Sequence, residues 1–393
     1  MNPRSARDLS RVAVAIVIAA VVVSAAILVA SSTRPPVTKT VTSNAVSTST
    51  VVSSTTILKT ITATETVGTA TETVTSVTGY GSPYIGNITV ADLRTGSDLT
   101  NVAVDPSTQE VYVPDFGGDM LVINATSDGV SATPDNFSAT YVAVDPRTDM
   151  VYTNNDGCPP CAESVVVVDG ATNRAIGGID LGAYVDGLDV NPNTDVVYAS
   201  SADTDSLYVI NGATDSLVKN ISLGGEAMGV AVNDETNMVY VPVCTTSFDC
   251  TPAFLDAING TTYSVVSQTP IGLPFAVAVN PVTDTIYVTT LQNLLVSIDG
   301  STGSVTETRL SAYAMECRGL AVNTVSNEVY VSCQANLNEF LIVDGANDNI
   351  LNSFVDNETP SGVAFDPSNS MIYLVQSSDG YVSVLRSVTY LVP

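Results

Sequence analysis

Seven times between Val102 and Leu374 the chain repeats one unit: Val-Ala-Val-Asp-Pro, a short polar turn, then Val-Tyr-Val, with small variations. The unit tyrosines, Tyr112, Tyr152, Tyr198, Tyr240, Tyr287, Tyr330 and Tyr373, stand 40 to 47 residues apart. Such regularity means that each unit is one copy of a supersecondary structure and that all copies pack alike. Within a unit, four apolar, β-branched runs are separated by turn signals. In the second unit Val142–Val144 stops at Asp145-Pro146, Val151–Thr153 follows, Ser164–Val168 ends at Asp169-Gly170, and Ala175–Leu181 closes it. Proline cannot donate to a ladder, so Asp-Pro marks the turn after the first strand. The Asp-Gly and Asn-Gly pairs after the third strand, at Gly170, Gly212, Gly260, Gly300 and Gly345, read as positive-φ hairpin turns.

Four short strands per period of this length predict an all-β, seven-bladed β-propeller. The ends fit a ring. Tyr84–Val90 matches the fourth-strand run Ala175–Leu181, and the last unit supplies a third strand, Tyr381–Leu385, but no fourth. The N-terminal strand is expected to complete the last blade and remove the open edges. The units resemble the YVTN β-propeller repeats of archaeal and bacterial surface proteins, relatives of the lactonase-like seven-bladed propellers. The residues that carry the likeness are Tyr287-Val-Thr-Thr290, Tyr152-Thr-Asn-Asn155, Val166-Val-Val-Asp-Gly-Ala-Thr-Asn173 and Gly229-Val-Ala-Val-Asn233. It covers about residues 84–386 and implies a fold rather than an activity, because propellers host many functions. Lactonase-like propellers rely on central histidines, and this chain has none. Their activity does not carry over, and neither Ser-His-Asp catalysis nor a His-ligated metal is open to it.

The first thirty residues concern location. Arg4, Arg7 and Arg11 precede Val12–Ala30, a run whose one polar residue is Ser24. It is long enough to span a bilayer with residues 1–11 held in the cytoplasm, and we read it as a transmembrane helix, an uncleaved signal anchor. The rival reading is a signal peptide cleaved near Ser24-Ala25-Ala26; either exports the rest. Residues 31–79 hold 25 Ser or Thr, the composition of an extended, disordered, O-glycosylated stalk below a propeller spanning 80–393. Behind an export segment, the Asn-x-Ser/Thr triplets at Asn87, Asn124, Asn136, Asn220, Asn259 and Asn357 read as N-glycosylation sites.

Six cysteines suit an oxidising compartment. In the sixth unit, a hairpin placing Leu320 opposite Tyr330 and Val322 opposite Glu328 also places Cys317 opposite Cys333, within bridging distance. Cys244 and Cys250 are expected to pair locally. Cys158-Pro-Pro-Cys161 reads as a structural disulfide, with a redox pair or half of a thiolate metal site as alternatives.

Spacing inside the unit separates two faces. From the third residue of the first strand to the tyrosine the step is always 8, whereas the lengths after the tyrosine vary. The loop between strands two and three and the inter-blade connection open on the same face, and variable loops on a rigid scaffold are where binding concentrates. That face is expected to carry Asp115, Phe116, Asp119, Asp156, Tyr184, Asp186, Asp203, Asp205, Glu226, Phe275, Tyr313 and Arg318. The unit tyrosines read as inter-blade packing. From residue 81 onward 37 Asp or Glu stand against 7 Lys or Arg, which leaves no basic face for nucleic acid. No cofactor motif is present. Calcium is the ion such charge would suit, with Asp203 and Asp205, or Asp115 and Asp119, as ligands, although no loop matches an EF-hand. The expectation is a membrane-anchored extracellular module that binds or scaffolds an envelope protein or glycan. The alternative is a cation-dependent, lactonase-like hydrolase or isomerase acting at the propeller mouth.

Overall fold

A computed structural model describes residues 59–67, 70–78, 84–89, 99–116, 120–127, 129–132, 138–155, 164–246, 250–310, 314–335, 338–356, 359–377 and 380–387. The chain divides into two units, Met1–Ser82 and Pro83–Pro393. In the first, Lys59–Val67 and Ala70–Thr78 pair as an antiparallel hairpin, from Lys59 opposite Thr78 to Val67 opposite Ala70. Two copies of Thr-Ala-Thr-Glu-Thr-Val, Thr62–Val67 and Thr69–Val74, give the hairpin its β-branched sequence. Val12–Ala30 and residues 31–58 lie outside the described residues.

The second unit is the propeller. Seven antiparallel sheets follow in chain order, and the described residues contain no helix. The first strands, Ala103–Asp105, Val142–Asp145, Gly187–Asn191, Ala231–Asn233, Pro274–Asn280, Ala314–Asn323 and Pro360–Asp366, each touch the next, and the seventh touches the first. They form an inner ring. Closure is as the ends of the sequence indicated: Tyr84–Thr89 pairs with Tyr381–Arg386 as the outer strand of blade seven.

The core consists of seven apolar layers, one in each seam between neighbouring blades. Every layer holds the unit tyrosine of the earlier blade. Tyr198 of blade three, for example, packs with Val230, Val239 and Val241 of blade four. Six of these rings are 0–1% exposed and Tyr240 is 5% exposed. An aromatic ring so buried contributes roughly 1.5–3 kcal/mol of transfer free energy. The repeat therefore encodes not only a blade but the adhesive that joins it to the next.

The face carrying the short turns is built by one rule throughout. The last residue of each first strand, Asp105, Asp145, Asn191, Asn233, Asn280, Asn323 or Asp366, accepts on Oδ1 the amide two residues on, at 2.7–3.1 Å. Four residues after it, Gln109, Asp149, Asp195, Asn237, Asp284, Asn327 and Ser370 all take left-handed conformations, with φ of 53–62°. Each of their carbonyls accepts the amide that follows the third strand, at 2.7–2.9 Å. This revises the reading of the Asp-Gly and Asn-Gly pairs. Their glycines do not have positive φ. They are glycines because a Cβ at Gly260 would lie 2.4 Å from Asn237 Oδ1 and 2.8 Å from its carbonyl oxygen, with the same crowding at Gly170, Gly212, Gly300 and Gly345. Close approach, not turn type, demands them.

Candidate binding face

The opposite face joins the loops between strands two and three to the inter-blade connections, blade by blade. Asp115 bridges Leu99, Ala202 N donates to Asp186 Oδ2 at 2.7 Å, and Leu223 N donates to the carbonyl of Asp205 at 2.9 Å. Leu291 N reaches Leu273 O, Leu310 N reaches Asn293 O, and Ser377 N reaches Thr359 O, each at 2.9 Å. The two loop classes do share a face. Blades three and five repeat one contact, a left-handed residue (Asp205, Asn293) accepting a leucine amide, and blades five and seven repeat another, but among the described residues no one arrangement is common to all seven blades.

Cystine bonds stiffen this face. Cys244 and Cys250 are joined with Cα atoms 4.6 Å apart, next to Glu226, which pairs with Cys244 across the sheet. Cys317 and Cys333 are joined with Cα atoms 3.9 Å apart, and both are fully buried. The register that led to this pair needs correcting. Leu320 lies opposite Val331, and Val322 opposite Val329, one residue off the expected pairing. An irregularity between Cys317 and Gly319 absorbs the offset and restores Cys317 opposite Cys333. Cys158 and Cys161 lie outside the described residues.

Glu316 and Arg318 flank Cys317 on the strand, and their side chains are 43% and 45% exposed. Arg318 donates Nε to Glu316 Oε2 at 3.0 Å, and its guanidinium carbon lies 5.2 Å from the ring centroid of Phe275 in blade five. This cation–π contact crosses the seam between blades five and six. Two further aromatics stand out from this face, Phe116 at 48% and Tyr184 at 62% exposure. The expected carboxylates are different. Asp115 is buried, Asp186 caps the Ala202 amide, Asp203 accepts the Ser201 hydroxyl, and Asp205 has φ of 52° in a turn. The structure thus gives Asp186, Asp203 and Asp205 turn roles and brings together Phe275, Glu316 and Arg318. Among the described residues no three His, Cys, Asp or Glu converge as metal ligands. Asp119, Asp156 and Tyr313 lie outside the described residues.

Of the triplet asparagines, Asn220 is exposed on the outer strand of blade three. Asn87 lies in the closing strand. Asn124 and Asn259 each turn Oδ1 back onto amides two and three residues on. Asn136 and Asn357 are outside the described residues.

One titratable residue was missed. Six of the seven first strands carry alanine where blade three carries Asp189. Its carboxylate accepts Val190 N at 2.8 Å and, across the inner ring, Val232 N of blade four at 2.7 Å. Desolvation pushes it up to about 7 against those two amides. The signal was visible in the repeat as its one charged departure at that position.

With the geometry in view, the fold can be set beside known proteins. No family model and no curated protein matches the chain. Among solved structures, hydrazine synthase of Kuenenia stuttgartiensis aligns with a TM-score of 0.66 at 16% identity, covering 75% of this chain and 96% of that one. The β-propeller domain of Cps50 (Swd1) from Myceliophteria thermophila aligns with a TM-score of 0.61 at 11% identity, covering 75% and 99%. The chain has the fold of a seven-bladed β-propeller. At these identities the likeness concerns architecture alone.

Proposed function

We propose that this chain is an exported, membrane-anchored propeller of the YVTN kind that presents its loop face to a neighbouring envelope protein or a glycan. The observation that carries the reading is Arg318 seated on Phe275, oriented by Glu316 and backed by the Cys317–Cys333 bond, on the face that also exposes Phe116 and Tyr184. Tyrosine and arginine supply large amphipathic contact area, and such residues dominate binding hot spots. The apolar run at Val12–Ala30, the Ser/Thr-rich tract, the glycosylation triplets and the cystines support display outside the cell. The charge from residue 81 onward supports a protein or glycan over nucleic acid.

The test is binding of the purified full chain to a glycan array and to fractionated envelope proteins. Replacing Phe116, Tyr184 and Arg318 together with alanine should weaken the strongest signal at least about tenfold. An unchanged signal would refute the assignment of the loop face. Protease treatment of intact cells should release the propeller, and recovery of the whole chain from cytosol would refute display.

A further inference from the structure

The turn face contains a chemical irregularity unrelated to binding at the loops. In each blade Oδ1 of the last first-strand residue is committed to its own turn, which leaves the second terminal atom of that side chain for another partner. At three seams this atom is an amide nitrogen, which donates to the left-handed residue across the seam. Asn191 Nδ2 reaches Asn237 Oδ1 at 2.8 Å, Asn233 Nδ2 reaches Asp284 Oδ1 at 2.7 Å, and Asn280 Nδ2 reaches Asn327 Oδ1 at 2.7 Å. Between blades one and two, and between two and three, the same two positions are Asp105 with Asp149 and Asp145 with Asp195. Asp105 and Asp145 are fully buried. Asp105 Oδ2, Asp145 Oδ2 and Asp149 Oδ1 have no hydrogen-bond partner.

Two facing carboxylates cannot replace an amide–carbonyl bond: neither has a donor, and burial strengthens their repulsion. We propose that each of these two seams is closed by one proton held between its two carboxyls, so that the blade 1–2 and 2–3 seams tighten in mild acid through a bond that the amide seams form without a proton. One carboxyl then donates as an acid and the other accepts, which reproduces the asparagine bond of the sister seams.

The surroundings favour the proton. Glu110 and Asp169 face the first pair, along with the Tyr112 hydroxyl, which donates to Glu110 Oε2 at 2.9 Å. Burial, then Asp105, Glu110 and Asp169, hold the Asp149 carboxyl above its ordinary value. At the second pair burial and then Asp145 raise Asp195, Arg147 opposes them, and Asp215 and the Tyr152 hydroxyl lie nearby. With no cation beside it, the first pair should respond more strongly. A carboxyl raised in the folded state binds more protons there than in the unfolded chain. Its stabilising effect is therefore present in mild acid and is lost as pH rises through the raised value.

The experiment uses the purified full chain and measures Tm by circular dichroism from about pH 5 to about pH 8. Asp105→Asn with Asp145→Asn installs the donor found in the sister seams and keeps the turn-forming Oδ1. The variant should lose at least half of the wild-type fall in Tm and melt higher than wild type at the alkaline end. Glu307→Gln, on an exposed strand, should leave the slope unchanged. If the double variant does not fold, Asp149→Asn tests the first seam from its other side. Infrared spectra near neutral pH should show a protonated-carboxyl band in wild type that is weaker in the variant, with the part due to Asp189 retained in both. A slope equal in wild type and the variant, or a band of equal strength in both, would overturn the proposal. So would a Tm governed by added calcium or EGTA and insensitive to pH, which would assign a cation to the pair.

Discussion

On the turn face, every blade spends the same atoms in the same way: a turn-forming Asp or Asn, a left-handed residue four positions on, and an amide after the third strand. On the loop face, the connections share contacts only between some blades and add private ones, Asp186 in blade three and a cystine in blade four. The contrast is one of tolerance. A face whose bonds are shared by all units cannot vary without breaking the ring's periodicity. A face whose bonds are partly private to each blade can change one loop at a time, and it needs covalent or cation–π staples to be rigid.

Three comparisons test that contrast. The largest effect is expected where a staple replaces periodicity. Cys317→Ala with Cys333→Ala should cost about 3 kcal/mol, the loop-closure value for a span of this size, in urea unfolding of the oxidised protein. A loss below about 1 kcal/mol would mean that the strand pairing alone holds that loop. Next, Gly260→Ala on the turn face drives a Cβ into Asn237 and should cost about 2–3 kcal/mol, while Tyr184→Ala on the loop face should stay within about 0.5 kcal/mol. Equal costs would erase the difference between the faces. The smallest effect separates chemically different seams. Tyr330 bonds through its hydroxyl to Glu328 Oε2 at 2.9 Å and Ser387 Oγ at 3.0 Å, so Tyr330→Phe should cost about 1 kcal/mol. The Tyr152 hydroxyl is buried without a hydrogen bond, so Tyr152→Phe should be neutral or slightly stabilising. Denaturant midpoints of the two variants decide this, and a Tyr152→Phe loss as large as that of Tyr330→Phe would contradict the assignment.

Much of this molecule was legible in the repeat. The blade number, the closing strand from Tyr84 and the tyrosines as seam packing all followed from period and alternation. Both described cystines were expected, although the route to Cys317–Cys333 assumed a regular hairpin that an irregularity beside Gly319 corrects. A bulge adds a residue without any composition signal, so sequence counting cannot locate it. The glycines after the third strands were noticed for the wrong reason, since crowding by a residue about twenty positions earlier leaves no local trace. On the loop face, one aspartate of the candidate set, Asp186, also caps a backbone amide, a common use of Asp in turns.

The sequence by itself determined what recurs: four strands per unit, seven units, a ring closed by its own ends, and an acidic chain without histidine. These are local and periodic properties, and each copy reinforces the others. Only the tertiary structure decided which atoms meet across a seam. Asp105 and Asn191 occupy the same place in the repeat, yet one faces a carboxyl and the other an amide, because their partners come from the next blade, more than forty residues away. Such a pairing is a property of two copies in contact, and no reading of one copy contains it.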